Sequence, residues 1–233
     1  TDQYMETLRV ESNRTAVMTL VLDPAEDYWV WEQLIAGQAN ADRRSANFVL
    51  AEPGSSRPAR LRIRMLGGSN TDASPDHRVV ARVNGTEVGE ISWEGRLPAL
   101  GEWTVPLTVL RAGTNIVEIQ AYKPAGVAYS VLYLDAMELD YPRRATATRG
   151  TLAVTSSGQA LQVSGLEAGS ALVLDVTEPF APRRLEGVEA RGAQVLVSGT
   201  EAGHRYWLGD SNGFQAVTLN GGGSAGRLAN PSN

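Results

Sequence analysis

His77-Arg78-Val79-Val80-Ala81-Arg82-Val83, then Asn84-Gly85, then Val88-Gly89-Glu90-Ile91-Ser92-Trp93: these two runs and the dipeptide between them decide the fold. The flanking runs are rich in strand-forming residues. Asn-Gly tolerates the positive φ angles of a two-residue hairpin turn, so the segment reads as two antiparallel strands. Outward from this hairpin the same texture repeats. Arg60-Leu61-Arg62-Ile63-Arg64-Met65 alternates strictly, placing Leu61, Ile63 and Met65 on one face and the arginines on the other. Trp103-Thr104-Val105-Pro106-Leu107 carries a proline that marks an edge strand or a strand end. A turn over residues 110–115 leads into a run over 116–121, and residues 131–141 read as a long closing strand. In that strand Leu134 and Ala136 are expected to pack inward, with Asp135, Met137 and Leu139 on the opposite face. Only residues 27–36 carry a helical pattern, and a short one. The expected fold class is all-β: a jelly-roll β-sandwich followed by a second, smaller β-sandwich-like module.

After Tyr141-Pro142-Arg143-Arg144 the residues become smaller and richer in Gly and Ala, and aromatics vanish until Phe180. Six short strands are expected here, over 151–154, 160–163, 172–176, 184–188, 194–198 and 204–208. The division is therefore drawn as a jelly roll over 1–142, a small β-module over 143–219, and a linker over 220–233 toward a further domain. A module of this size is near the lower limit for independent folding and is expected to lean on a neighbour.

Composition narrows the function. The formal charge of −5 and pI near 5.2 argue against an electrostatic grip on nucleic acid. Every basic residue except Lys123 is arginine, which with their scattered placement reads as a GC-rich genome rather than a binding patch. With no cysteine, disulfides and thiolate chemistry are excluded. The sequence holds no run of about 18 apolar residues that could span a membrane. The opening Thr1-Asp2-Gln3-Tyr4 and the Gly-rich Asn220-Gly221-Gly222-Gly223-Ser224 both read as cut ends of something longer.

Four tryptophans, Trp29, Trp31, Trp93 and Trp103, are the first candidates for a site, because exposed indole faces stack on sugar rings. In an extended Tyr28-Trp29-Val30-Trp31 the two indoles would share one face. The competing reading is that they fill the core. Asn70-Thr71-Asp72-Ala73-Ser74-Pro75-Asp76 offers Asp72 and Asp76 as oxygen ligands of the kind that bind calcium, though without the regular spacing of a calcium loop. No other cofactor is expected. A glycosidase needs two facing carboxylates, and nothing pairs Asp27, Glu32, Glu94 or Glu102. His77 and His204 are the only histidines, and each reads as a packing or surface residue.

Two segments carry a family resemblance. The first comprises residues 77–85, Gly113-Thr114-Asn115, and Tyr133-Leu134-Asp135-Ala136-Met137-Glu138-Leu139-Asp140-Tyr141-Pro142-Arg143. It resembles the jelly-roll, galactose-binding-like domain found upstream of gingipain-type (family C25) cysteine peptidase domains in bacterial surface proteins. The second is Leu174-Asp175-Val176-Thr177-Glu178-Pro179-Phe180-Ala181-Pro182-Arg183. It is similar to the Trp-Asp-Val-Thr-Asp-Pro segment preceding that peptidase domain, with Leu174 in place of tryptophan and Glu178 in place of the second aspartate. The resemblance implies a non-catalytic accessory or scaffold region of a secreted or cell-surface bacterial protein. It implies an adjoining peptidase domain of the same chain as partner, with no catalytic residue in this segment. Carbohydrate binding through the tryptophans is the alternative.

Overall fold

The computed structural model describes residues 1–18, 20 and 27–214; the expected linker over 220–233 lies outside them. The first part of the chain forms β1 (Gln3–Glu11), β2 (Thr15–Ala16), β3 (Trp29–Val30), β4 (Glu32–Ile35), β5 (Arg43–Leu50), β6 (Ala59–Gly67), β7 (His77–Val83), β8 (Thr86–Trp93), β9 (Pro98–Val105), β10 (Gly113–Tyr122) and β11 (Val131–Arg144). One sheet has the order β1-β11-β6-β9, with β4 also on β11, and the facing sheet has the order β5-β10-β7-β8. All pairings are antiparallel. The chain passes from sheet to sheet at nearly every step, which is the jelly-roll order. The β7–β8 hairpin turns at Asn84 (φ 49°) and Gly85 (φ 82°), as the dipeptide requires.

Between the sheets lies one apolar core that includes Phe48, Leu61, Ile63, Val79, Ile119, Leu132, Leu134, Met137, Leu139 and Tyr141. Burying each large side chain contributes about 1.5–3 kcal/mol. Two of the outward arginines of β6, Arg60 and Arg62, form ion pairs. Arg9, Glu138, Arg62 and Glu102 stand directly opposite one another on β1, β11, β6 and β9, so charge alternates across the sheet. Arg9 bonds Glu138, and Arg62 reaches Glu138 at 3.2 Å and Asp140 at 3.0 Å. Such opposite-charge cross-strand pairs stabilise a sheet by about 0.2–1 kcal/mol each.

The structure corrects two expectations in this part. Residues 27–36 are not helical. Trp31 enters the core, and β4 adds to β11; aromatic and β-branched side chains suit such a pleated, half-buried surface. The inward phase of β11 also changes along its length. Leu134 pairs with Met65 but Ala136 with Arg64, leaving Asp135 as the extra residue of a β-bulge. Leu132 and Leu134 face the core before the bulge. Met137, Leu139 and Tyr141 face it after, rather than the opposite side as simple alternation predicts.

The second part comprises β12 (Thr151–Thr155), β13 (Leu161–Ser164), β14 (Leu172–Asp175), β15 (Arg183–Arg184), β16 (Val188–Arg191), β17 (Gln194–Val197) and β18 (Arg205–Gly209). Its sheets, β12-β18-β14-β15 and β13-β17-β16, enclose a separate core built on Val163, Val173, Val195, Val197, Tyr206 and Leu208. The single strand expected over 184–188 is instead divided, because the chain changes sheets there. The Leu185 amide donates to the Val173 carbonyl at 2.9 Å, and the Ser198 amide to Gly187 at 2.8 Å. A Cβ on Gly187 would lie 2.5 Å from the Ser198 carbonyl oxygen, so glycine permits the crossing. β1 and β11 tie the parts together: Tyr4 packs on the second core, and the Ala145 and Gln162 amides donate to Asp2 and Thr1.

Deleting Asp135 would slip half of β11 by one residue and turn its apolar set outward. The expected outcome is loss of the cooperative thermal transition. Burial pushes the Asp135 carboxyl pKa up, with Glu11 adding to the effect. Asp135→Asn is therefore expected to raise the melting temperature at pH 7, as scanning calorimetry would show.

Candidate functional site

The four tryptophans do not share a surface. Trp31 is only 5% exposed and lies in the core, where the Arg44 guanidinium sits 5.0 Å from its ring. Trp29 is 39% exposed, so the two indoles do not share the face that an extended segment predicts. The reason is that the strand breaks after Val30, itself buried. Trp93 and Trp103 are half-buried against the core. The Trp93 ring lies 4.9 Å from the His77 imidazole. Trp103 covers Gly101 and Gly89, where a Cβ would come within 2.0 Å and 2.1 Å of the indole, and its Nε1 donates to the Glu90 carbonyl. Tyr28, 40% exposed, stands beside Trp29 with ring centroids 5.9 Å apart.

The two candidate acids differ sharply. Asp72 is exposed, whereas Asp76 is fully buried. Asp76 Oδ1 accepts from the Thr71 amide and hydroxyl, both at 2.7 Å, and Oδ2 from the Gly95 amide at 2.7 Å. Burial alone would raise its pKa, but these bonds outweigh burial and hold it below the ordinary value. His77 beside it is equally buried. Its Nε2 donates between the Ser69 and Gly95 carbonyls, and Nδ1 faces the Ser130 hydroxyl at 2.8 Å. Burial lowers the His77 pKa against the pull of those carbonyls, so the ring stays neutral. Asp76 and His77 thus clamp the loops at one end of the jelly roll. Among the described residues no group of three His, Cys, Asp or Glu side chains is placed to hold a metal ion.

The second module presents a different arrangement. Asp175 ends β14 and accepts from the Thr177 amide (2.9 Å) and hydroxyl (2.6 Å), while Oδ2 meets His204 Nδ1 at 2.8 Å. These bonds, Thr177 first, bring the Asp175 pKa down to about 2, and the Asp175 bond raises that of His204. Two further bonds fix the segment to β18: Val176 N to Arg205 O at 2.8 Å, and Arg205 N to Thr177 Oγ1 at 3.0 Å. From this braced base the chain projects Pro179-Phe180-Ala181-Pro182, and the Phe180 ring is fully exposed. The sequence analysis marks this stretch by its family resemblance and does not single out Phe180. Its signal was an aromatic placed between two prolines in an otherwise polar turn.

Between the two parts lies an open cleft of about 600 Å³. Arg57, Arg60 and Arg62 enter it from the jelly roll and Arg205 from β18, with Glu6 and Asp140 the only carboxylates lining it among the described residues. Nothing in the sequence separated these arginines from the others.

The architecture places the chain among jelly-roll β-sandwich proteins that carry an appended β-module. No family model matches the chain, and no curated protein matches it. Among solved structures, dimeric latent PorU from Porphyromonas gingivalis aligns over 90% of this chain at a TM-score of 0.69 and 11% identity. The alignment covers 20% of the PorU chain, so the likeness is to about a fifth of that protein and is one of fold. A family 36 carbohydrate-binding module in complex with calcium and xylotriose aligns over 57% of this chain and 98% of its own (TM-score 0.37, 16% identity). A family 35 module from an environmental isolate aligns over 60% and 89% (TM-score 0.35, 15% identity). No helix among the described residues is long and apolar enough to cross a membrane.

Asp76→Ala strands the buried donors that Asp76 satisfies, at about 1–3 kcal/mol for each left unpaired. Urea denaturation is expected to show a loss of that order, and the wild-type melting temperature is expected not to move with EDTA. The His204–Asp175 pair gives a pH signature. The raised His204 pKa contributes stability that is fully present below about pH 6.5 and lost as pH rises through the folded value. The lowered Asp175 pKa contributes above about pH 3.9 and is lost as pH falls toward 2. His204→Ala is thus expected to destabilise most between about pH 4 and 6.5, and progressively less in alkali.

Proposed function

We propose that this chain is a non-catalytic accessory region of a secreted or surface-attached bacterial protein, and that it docks an adjoining cysteine-peptidase domain of the same protein through the Phe180 loop. The observation that carries this reading is the fully exposed Phe180 ring on a base held by Asp175, Thr177 and His204. A solvent-facing aromatic on an ordered loop is an anchor for a partner's pocket, and ordering it beforehand lowers the entropy lost on docking. Pro179 and Pro182 restrict the loop further. The fold likeness to part of PorU supports the reading, as does the ordered pair of sequence motifs. His77 meets the Ser130 hydroxyl at 2.8 Å, but both groups are fully buried away from any substrate, and His204 is held by Asp175. A second reading, carbohydrate binding, has one favourable observation: the exposed Tyr28 and Trp29 rings stand side by side.

Amide hydrogen exchange, compared between the isolated chain and the longer protein carrying its peptidase domain, tests the docking. The amides of residues 176–178, 180 and 181 are expected to exchange at least tenfold more slowly in the longer protein. Phe180→Asp should erase that protection without changing the melting temperature of the isolated chain. Equal exchange in both contexts would sink the proposal.

A further inference from the structure

The cleft between the two parts is not absorbed by docking through Phe180. Its electrostatics are lopsided in a chain of net charge −5. Both carboxylates that the described residues bring to its lining are already engaged. Glu6 meets Arg143 at 2.8 Å and accepts from the Tyr141 hydroxyl, and Asp140 holds Arg62 and the Thr7 hydroxyl. Arg62 is spent in the ladder, and Arg60 has Glu102 at 3.6 Å. Arg57 and Arg205 are exposed and have no acidic partner among the described residues. One stands on each wall, so the cleft carries positive charge facing inward from both sides.

The walls also offer backbone. Residues 5–7 of β1 and 153–155 of β12 line the cleft as consecutive runs. The cleft therefore reaches more of β1 and β12 than the side chains of one face, although it also touches residues 205–207 of β18, which is paired on both sides. Among the described residues β1 pairs only with β11 and β12 only with β18, which leaves an open edge on each wall. Open edges accept extended peptides by strand addition, and the volume falls within the roughly 300–1,000 Å³ of ligand sites.

From the two unpaired arginines and the two open strand edges we infer that the interdomain cleft binds an extended acidic peptide segment. The peptide adds as a strand to an open edge and sets its carboxylates against Arg57 and Arg205. Backbone pairing supplies affinity, and the guanidiniums, whose planar forks match carboxylates, select acidic sequences. An acidic polysaccharide would satisfy the arginines but make no use of the strand edges.

The test uses the whole chain and a fluorescein-labelled, end-capped octapeptide alternating Asp and Val, followed by anisotropy. Saturable binding that weakens with added salt is expected. Arg57→Glu/Arg205→Glu, both at exposed sites, should weaken it at least tenfold with circular dichroism and melting temperature unchanged. The neutral Arg57→Gln and Arg205→Gln variants should each weaken it several-fold, which keeps the test intact if the double reversal misfolds. An octapeptide N-methylated at alternate residues has the same charge but cannot pair, and should also bind at least tenfold more weakly. Phe180→Asp should leave peptide binding unchanged, which separates this site from the docking loop. The inference is overturned if the octapeptide does not bind, if charge variants bind it equally, or if the N-methylated peptide binds as well. It is likewise overturned if an oligogalacturonate of equal charge binds in place of the peptide, which would make the cleft an acidic-sugar site.

Discussion

The structure depends on β11 keeping two sets of neighbours in register at once. Its 14 residues pair with β4 and β1 on one side and β6 on the other, then run on to the second core. A strictly regular strand would hold one face inward throughout. The extra residue at Asp135 lets Leu132 and Leu134 fill one half of the core and Met137, Leu139 and Tyr141 the other. It also aims Glu138 and Asp140 outward at Arg9 and Arg62, so the bulge sets the charge ladder as well as the core. Placing a half-buried carboxylate there is the accompanying penalty, visible in its raised pKa.

What was legible in the sequence follows from which signals are local. Asn84-Gly85 and the alternation over residues 60–65 specify turn and face within a few residues, and the jelly roll grows from such pieces. The bulge was invisible because a single inserted residue changes phase without changing composition. Residues 27–36 misled for a related reason. Strands as short as β3 and β4 do not repeat long enough to show period 2, and what holds β4 is a partner about a hundred residues away. The division of the expected strand over 184–188 turns on Gly187 passing close to Ser198, again a long-range contact.

The site residues show the same limit more strongly. The four tryptophans all lie in the first part of the chain but take different roles: Trp31 in the core, Trp93 against His77, Trp103 over two glycines, and Trp29 partly exposed beside Tyr28. Residue type alone identifies a stacking side chain; exposure decides whether it can stack. The arginines are the converse case. Their abundance reads as compositional bias, and for Arg9, Arg60 and Arg62 pairing across the sheet gives each a structural role. Subtracting the paired ones leaves Arg57 and Arg205 in the cleft. Only the pairing pattern, which no sequence displays, distinguishes a guanidinium that is available from one that is spent.

Arg205 joins the two surfaces. Its side chain enters the cleft, while its backbone carbonyl and amide hold Val176 and Thr177 at the base of the Phe180 loop. Asp175 reinforces that base from β14, and His204 does so from the residue next to Arg205. The same few hydrogen bonds therefore fix the loop that presents Phe180 and the wall that presents Arg205. Neither surface can shift far without breaking bonds the other relies on. Bracing of this kind suits a scaffold: a partner that seats Phe180 meets a wall already in place, and a peptide in the cleft meets a guanidinium whose backbone does not need to be ordered on binding.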